Sequence, residues 1–175
     1  MDIFSASTIV ELTNPLISTP LVLVTLWVFT IWAGIVDIKT LKIRNRFNLV
    51  FLLTGLSFMG LEWLGQFISL PSIVPTLSFG WTNFLGMLAG FFFIFIPAFA
   101  KNHPMGGDIK MSAVLGFWLG FGPLLYVLIF ATIFNFAYWF GALYVYKDYG
   151  SKTLMPFAPF FALGVMVLYG LGYFL

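Results

Sequence analysis

Trp81-Thr-Asn-Phe-Leu-Gly-Met-Leu-Ala-Gly-Phe-Phe-Phe-Ile-Phe-Ile-Pro-Ala-Phe-Ala100 is an uncharged apolar run that stops at Lys101-Asn-His-Pro-Met-Gly-Gly-Asp108. A run of this length matches the roughly 20 residues an α-helix needs to cross a bilayer. Pro104 and the two glycines disfavour its continuation. The same pattern recurs on either side. Leu21–Val36, lengthened by Leu16–Pro20, ends at Asp37, and a polar, basic loop follows to Arg46. Asn48–Leu70 comes next, with Glu62 and Gln66 in its last turns and Pro71 and Pro75 in the loop beyond. Ile109–Gly122 is short for a span and reaches across only if the preceding motif lies below the membrane surface, with Gly120-Phe-Gly-Pro123 as the far turn. Leu124–Tyr146 and Leu154–Leu175 complete the chain. The pattern predicts an all-α, polytopic membrane protein, a bundle of six transmembrane helices forming a single domain over residues 1–175.

Composition points the same way. Of 175 residues, 61% are hydrophobic and 8% charged, against roughly 25% charged in soluble domains. Mean hydropathy is +1.04. The net charge of +2 is explained by membrane topology rather than by nucleic acid, which is not an expected partner. Cysteine is absent and His103 is the single histidine. Disulfides, thiolate catalysis, cysteine-based zinc sites and multi-histidine metal sites are thereby excluded, and neither a metal nor an organic cofactor is expected. Met1–Thr19 has no basic n-region and carries Asp2 and Glu11, so the first apolar run is expected to stay in the mature protein.

The basic residues fall in three loops, at Lys39, Lys42, Arg44 and Arg46, at Lys101 and Lys110, and at Lys147 and Lys152. Six spans put all three loops on one side, which the positive-inside rule makes cytoplasmic. Both termini are then expected outside, and Asp37 and Asp108 at the cytoplasmic edge of the bundle.

Those two aspartates are the candidate catalytic residues. A carboxylate at the membrane edge is costly and marks a functional site by default. Two in equivalent surroundings suggest a shared site, and the chemistry that needs a carboxylate pair is aspartic proteolysis. The structural alternative for each is a helix cap or a surface ion pair, since Lys39 follows Asp37 and Lys110 follows Asp108. Gly106 and Gly107 either make an ordinary helix-breaking turn or, through positive φ, let a substrate backbone approach closely. Lys110 reads as a topology anchor or as a support for the site's electrostatics. Glu62 reads as a helix-end residue near the outer surface, His103 as a solvated loop residue and Asp148 as a loop residue beside Lys147. The Phe91-Phe-Phe-Ile-Phe95 cluster reads as lipid-facing or packing surface.

Three segments resemble the aspartic prepilin peptidases, which process type IV prepilins and archaeal preflagellins. Val36-Asp-Ile-Lys-Thr-Leu-Lys-Ile-Arg-Asn45 is similar to the family's first-aspartate segment, with Arg44 where an Ile-Pro-Asn proline is usual. Met105-Gly-Gly-Asp-Ile-Lys-Met-Ser-Ala-Val-Leu-Gly-Phe-Trp-Leu-Gly120 is similar to the GxGD segment, with Met105 in place of the first glycine. Gly107 and Asp108 match the fixed positions. Met155-Pro-Phe-Ala-Pro-Phe-Phe-Ala-Leu-Gly164 is similar to the opening of the last helix.

The resemblance implies an aspartic endopeptidase with Asp37 and Asp108 as its catalytic pair. Its partners would be the lipid bilayer and a prepilin-like membrane precursor, from which a short basic leader is cut at the cytoplasmic face. Longer relatives carry an added cytoplasmic region with zinc-binding cysteines that N-methylates the new terminus. The resemblance to the short forms implies cleavage without methylation. Presenilin and signal-peptide-peptidase proteases also use a GxGD loop, but pair it with a Tyr-Asp helix and a Pro-Ala-Leu motif, whereas this chain has Val36-Asp37. A transporter or assembly subunit would need its carboxylates at the bilayer midplane.

Overall fold

The computed structural model of the protein describes residues 8, 20–65, 67, 77, 80–100, 106–145 and 156–174. Among these are six helices: α1 (Pro20–Thr40), α2 (Asn45–Gly65), α3 (Trp81–Ala100), α4 (Gly106–Leu119), α5 (Phe121–Val145) and α6 (Ala158–Phe174). The expected all-α class is met. Four helices, α1, α2, α3 and α5, are long and apolar enough to cross a membrane. With 14 and 17 residues, α4 and α6 measure about 21 and 26 Å at 1.5 Å per residue. Both fall short of a hydrocarbon core of roughly 30 Å. His103, Met105, Asp148, Met155 and the lysines at 101, 147 and 152 lie outside the described residues.

Local chemistry sets the helix ends. Asp37 was expected to close the first apolar run, but α1 continues for three more residues to Thr40. Charge alone does not stop a helix, and no glycine or proline intervenes. Termination comes at Leu41, whose φ of 49° is left-handed and whose N–H donates to the Asp37 carbonyl at 2.8 Å. The Thr40 hydroxyl reaches back to the Val36 carbonyl at 2.9 Å. Arg44 then caps α2 through its own carbonyl, which accepts from the Phe47 amide at 3.0 Å. At the start of α3 the capping is reciprocal, because the Gly80 amide donates to Asn83 Oδ1 at 3.0 Å and the Asn83 amide to the Gly80 carbonyl at 3.0 Å. Between α4 and α5 the chain turns on a single residue, Gly120, at φ 77°. Pro123 falls in the first turn of α5, where its missing N–H costs nothing.

The central element is the short α4. Met111, Ser112 and every residue from Val114 to Leu119 are buried, as befits a helix that is apolar on all faces. Its most extensive partner is α3, and it also meets α2 and α5; α6 lies between α1 and α5. Small residues allow the α3–α4 approach. A Cβ on Gly116 would clash with the Gly86 carbonyl oxygen, and one on Gly90 with that of Ser112. Backbones this close are the small-xxx-small geometry of membrane helix pairs, where packing rather than water exclusion drives association. On the α2 side the Trp118 indole lies over Gly55, donates from Nε1 to the Phe51 carbonyl at 3.1 Å and packs on the Phe51 ring at 5.1 Å. Asn83, also buried, donates to the Phe117 carbonyl at 2.9 Å and ties the start of α3 to the end of α4. The outer faces carry exposed Trp32, Phe92, Ile96, Phe99 and Phe136, a surface suited to lipid.

Gly116→Ala is expected to destabilise the detergent-solubilised chain by about 2 kcal/mol through overpacking. Gly141→Ala, where a Cβ meets nothing within 4 Å, should leave the thermal midpoint unchanged or slightly raised. Equal midpoints for the two variants would remove the close α3–α4 approach as a source of stability.

Candidate active site

The end of α1 and the starts of α2, α4 and α6 meet at one end of the bundle, and both candidate aspartates lie there. Asp37, in the last turn of α1, is only 3% exposed. Its Oδ2 accepts a hydrogen bond from the Ala158 amide, the first residue of α6, at 3.1 Å. One helical turn earlier Gly34 makes this possible, since a Cβ there would stand 3.0 Å from Pro159 Cα. The start of α6 therefore rests against α1, with its free N–H groups and the positive end of its dipole on the carboxylate.

Asp108 occupies the first turn of α4, outside the four helices that qualify as spans. It is half-buried. Burial pushes its carboxyl up to about 7, and the charge of Asp37 adds to the shift. Two carboxyl groups brought to one end of a bundle cannot readily ionise together.

Gly106 and Gly107 do not form the positive-φ loop that the sequence suggested. Both are helical, and among the described glycines only Gly120 has positive φ. Close approach does operate, but the approaching backbone belongs to this chain. A Cβ on Gly107 would meet the Ile43 carbonyl oxygen at 2.8 Å, whereas one on Gly106 would meet nothing within 4 Å. Ile43 is the buried residue of the link between α1 and α2, six positions after Asp37. The Gly107–Ile43 contact therefore ties the helix carrying one aspartate to the end of the helix carrying the other. Lys110 extends the tie from an exposed position, donating from Nζ to Asn45 Oδ1 at 2.9 Å.

Glu62 stands 17 residues along α2 from Asn45, about 25 Å from the site at 1.5 Å per residue, and takes no part in it. Sequence reasoning passed over Asn48, which is 4% exposed and donates from Nδ2 to the Gly107 carbonyl at 3.0 Å. It also passed over Gly34 and the Ala158 amide. A buried asparagine within an apolar run was the available signal for Asn48. A backbone donor has no signal in side-chain identity.

The sequence profile of the Type IV leader peptidase family matches residues 21–140, which include both aspartates. The chain is also 30% identical over 142 residues to the prepilin leader peptidase/N-methyltransferase of Bacillus subtilis (strain 168), covering 78% of this chain and 50% of that protein. It thus spans about half the length of this curated relative. No solved structure matches the chain at a significant level.

The chain has no cysteine, so the double variant Asp37→Cys/Asp108→Cys carries a unique thiol pair. A short bifunctional thiol reagent is expected to link the two positions within one chain, read as protection from fragmentation after cleavage at an engineered protease site between α2 and α3. Failure to link, with each single thiol reactive, would place the aspartates in separate sites.

Proposed function

The chain belongs to the Type IV leader peptidase family, and from that premise we propose that it is a membrane-embedded aspartic endopeptidase whose catalytic pair is Asp37 and Asp108. The observation that carries the reading is the convergence of both aspartates on one end of the bundle, where the start of α6 donates to Asp37 and the start of α4, bearing Asp108, packs on Ile43 six positions after Asp37. The substrate is a type IV pilin-like precursor with a short basic leader before its hydrophobic helix. The polar end of the bundle faces the cytoplasm, with Asp108 at the start of α4 on that side. The short helices α4 and α6 complete a six-helix membrane bundle, with both termini on the opposite side.

The mechanism follows from one proton shared by two carboxyl groups. The ionised member draws a proton from a bound water as that water attacks the scissile carbonyl carbon. The protonated member hydrogen-bonds the carbonyl oxygen, stabilises the tetrahedral intermediate and later helps protonate the leaving amine. Burial supports this division of labour, because a carboxyl group that holds its proton up to about pH 7 is available as an acid near neutrality. Gly107 keeps the start of α4 against Ile43, and Lys110 with Asn45 braces the same turn from outside.

Asp37→Asn and Asp108→Asn are each expected to lower precursor cleavage more than about 100-fold while membrane insertion persists, measured by product sizing with purified protein. Cleavage at wild-type rate by either variant would remove the pair as the catalytic centre.

The rate is expected to trace a bell against pH. Its alkaline limb should fall near pH 7, because the raised carboxyl of Asp108 supplies its proton only below that value and loses it as pH rises through it. Cleavage should persist in EDTA, since one histidine and no cysteine furnish no conventional zinc site. Loss in EDTA with recovery on adding a divalent ion would recast the aspartates as metal ligands.

A further inference from the structure

Asn48 is out of place in its surroundings. It lies in the first turns of α2, is buried, and belongs to a helix whose other buried residues are Phe51, Gly55 and Met59. Its side-chain amide is only partly paired. Nδ2 donates to the Gly107 carbonyl at 3.0 Å, whereas Oδ1 is buried with no hydrogen-bond partner. An unpaired buried acceptor is destabilising, and an apolar side chain of the same volume would avoid the cost. A residue that works against stability at the edge of a site has its explanation in function.

We infer that Asn48 is the positioning residue for Asp108, holding the Gly107 carbonyl so that the Asp108 carboxyl faces Asp37; this rests on the catalytic pair proposed above. The Gly107 carbonyl belongs to the peptide unit that leads directly into the Asp108 backbone. That plane fixes the direction in which the Asp108 side chain leaves the helix. The Gly107–Ile43 contact sets how close α4 comes to the α1–α2 link. It is a steric stop and does not define rotation. The Lys110–Asn45 bond is exposed, so its geometry is loosened by water. The part-buried Asn48 bond adds to the helix's own bonds a directional constraint on this turn, and misplacement of a reacting group by about 1 Å can cost about 100-fold in rate.

The test uses the full chain in detergent and a synthetic precursor with a short basic leader before a hydrophobic helix. Asn48→Leu keeps the volume and removes the donor. It is expected to lower kcat about 10-fold or more, leave KM unchanged and leave the thermal midpoint unchanged or raised. A kcat within twofold of wild type would overturn the inference, and so would a loss of activity matched by a fall in the midpoint, which is the mark of a structural role. Asn48→Asp supplies an independent readout. A protonated carboxyl can donate to the Gly107 carbonyl and an ionised one cannot, so activity should recover toward acid pH and fall as pH rises, moving the optimum down. The other ionisable groups described at this end of the bundle, Asp37, Lys39, Lys42, Arg44, Arg46, Asp108 and Lys110, keep their identity in that variant. An unmoved optimum would count against the inference. Asp37→Asn and Asp108→Asn run alongside. If they are inert while Asn48→Leu cleaves normally, the inference alone fails; if they cleave, the catalytic pair fails first.

Discussion

The cost of holding a carboxylate out of water governs this end of the molecule. Asp37 is almost wholly buried, and the Ala158 amide donates to its carboxylate. A buried carboxylate without compensation is unfavourable by several kcal/mol. Helix ends are what the bundle has available to offset that cost. The first N–H groups of α6 have no partner within their own helix, so bringing them to Asp37 satisfies donor and acceptor together. Pro159 and Gly34 supply the fit. Asp108 then enters on another helix start, and the same low-polarity surroundings that make its charge costly keep its proton in place near neutrality.

A second constraint acts through α4. A helix of 14 residues cannot hold a precise position by spanning the bilayer, so its place is fixed laterally by α2, α3 and α5. Gly86, Gly90 and Gly116 bring the α3 and α4 backbones into contact, and Trp118 and Asn83 add buried hydrogen bonds at 3.1 and 2.9 Å. In a bilayer, where apolar side chains gain little by leaving lipid, close van der Waals packing and buried hydrogen bonds do the anchoring. Asp108 is thus carried by the most enclosed helix of the protein, on elements that resist small displacements.

Much of this was legible in the sequence. The apolar runs located the six helices among the described residues, because uniform hydrophobicity bounded by polar loops is a strong signal. Scarcity of charge singled out Asp37 and Asp108. The end of α1 was misplaced, because a charged residue at Asp37 looks like a boundary whereas the helix ends only where Leu41 turns left-handed. The glycines before Asp108 read as a turn because Gly-Gly usually marks one, yet both are helical and Gly107 lies against the Ile43 backbone. The partners of the site were illegible for a different reason. Asn48 reaches Gly107 across 59 positions and Asp37 reaches Ala158 across 121. Bonds of that separation, made to backbone atoms, leave no periodicity or spacing for a sequence reading to find.

The departures of this chain from the usual peptidase segments have a physical reading in the same contacts. Arg44 stands where a proline is usual, and its contribution is a backbone carbonyl that caps α2, which any residue can supply. Gly106 fills the variable position of GxGD and has open space where a side chain would go. Gly107 fills the fixed position, and there a Cβ would press on the Ile43 backbone. The pattern therefore separates the glycine that is sterically required from the one that is not. What the required glycine secures is the short distance between the helix bearing Asp108 and the link leaving Asp37. A side chain at 107 would have to push those two elements apart, and with them the carboxyl groups whose mutual influence the proposed chemistry uses.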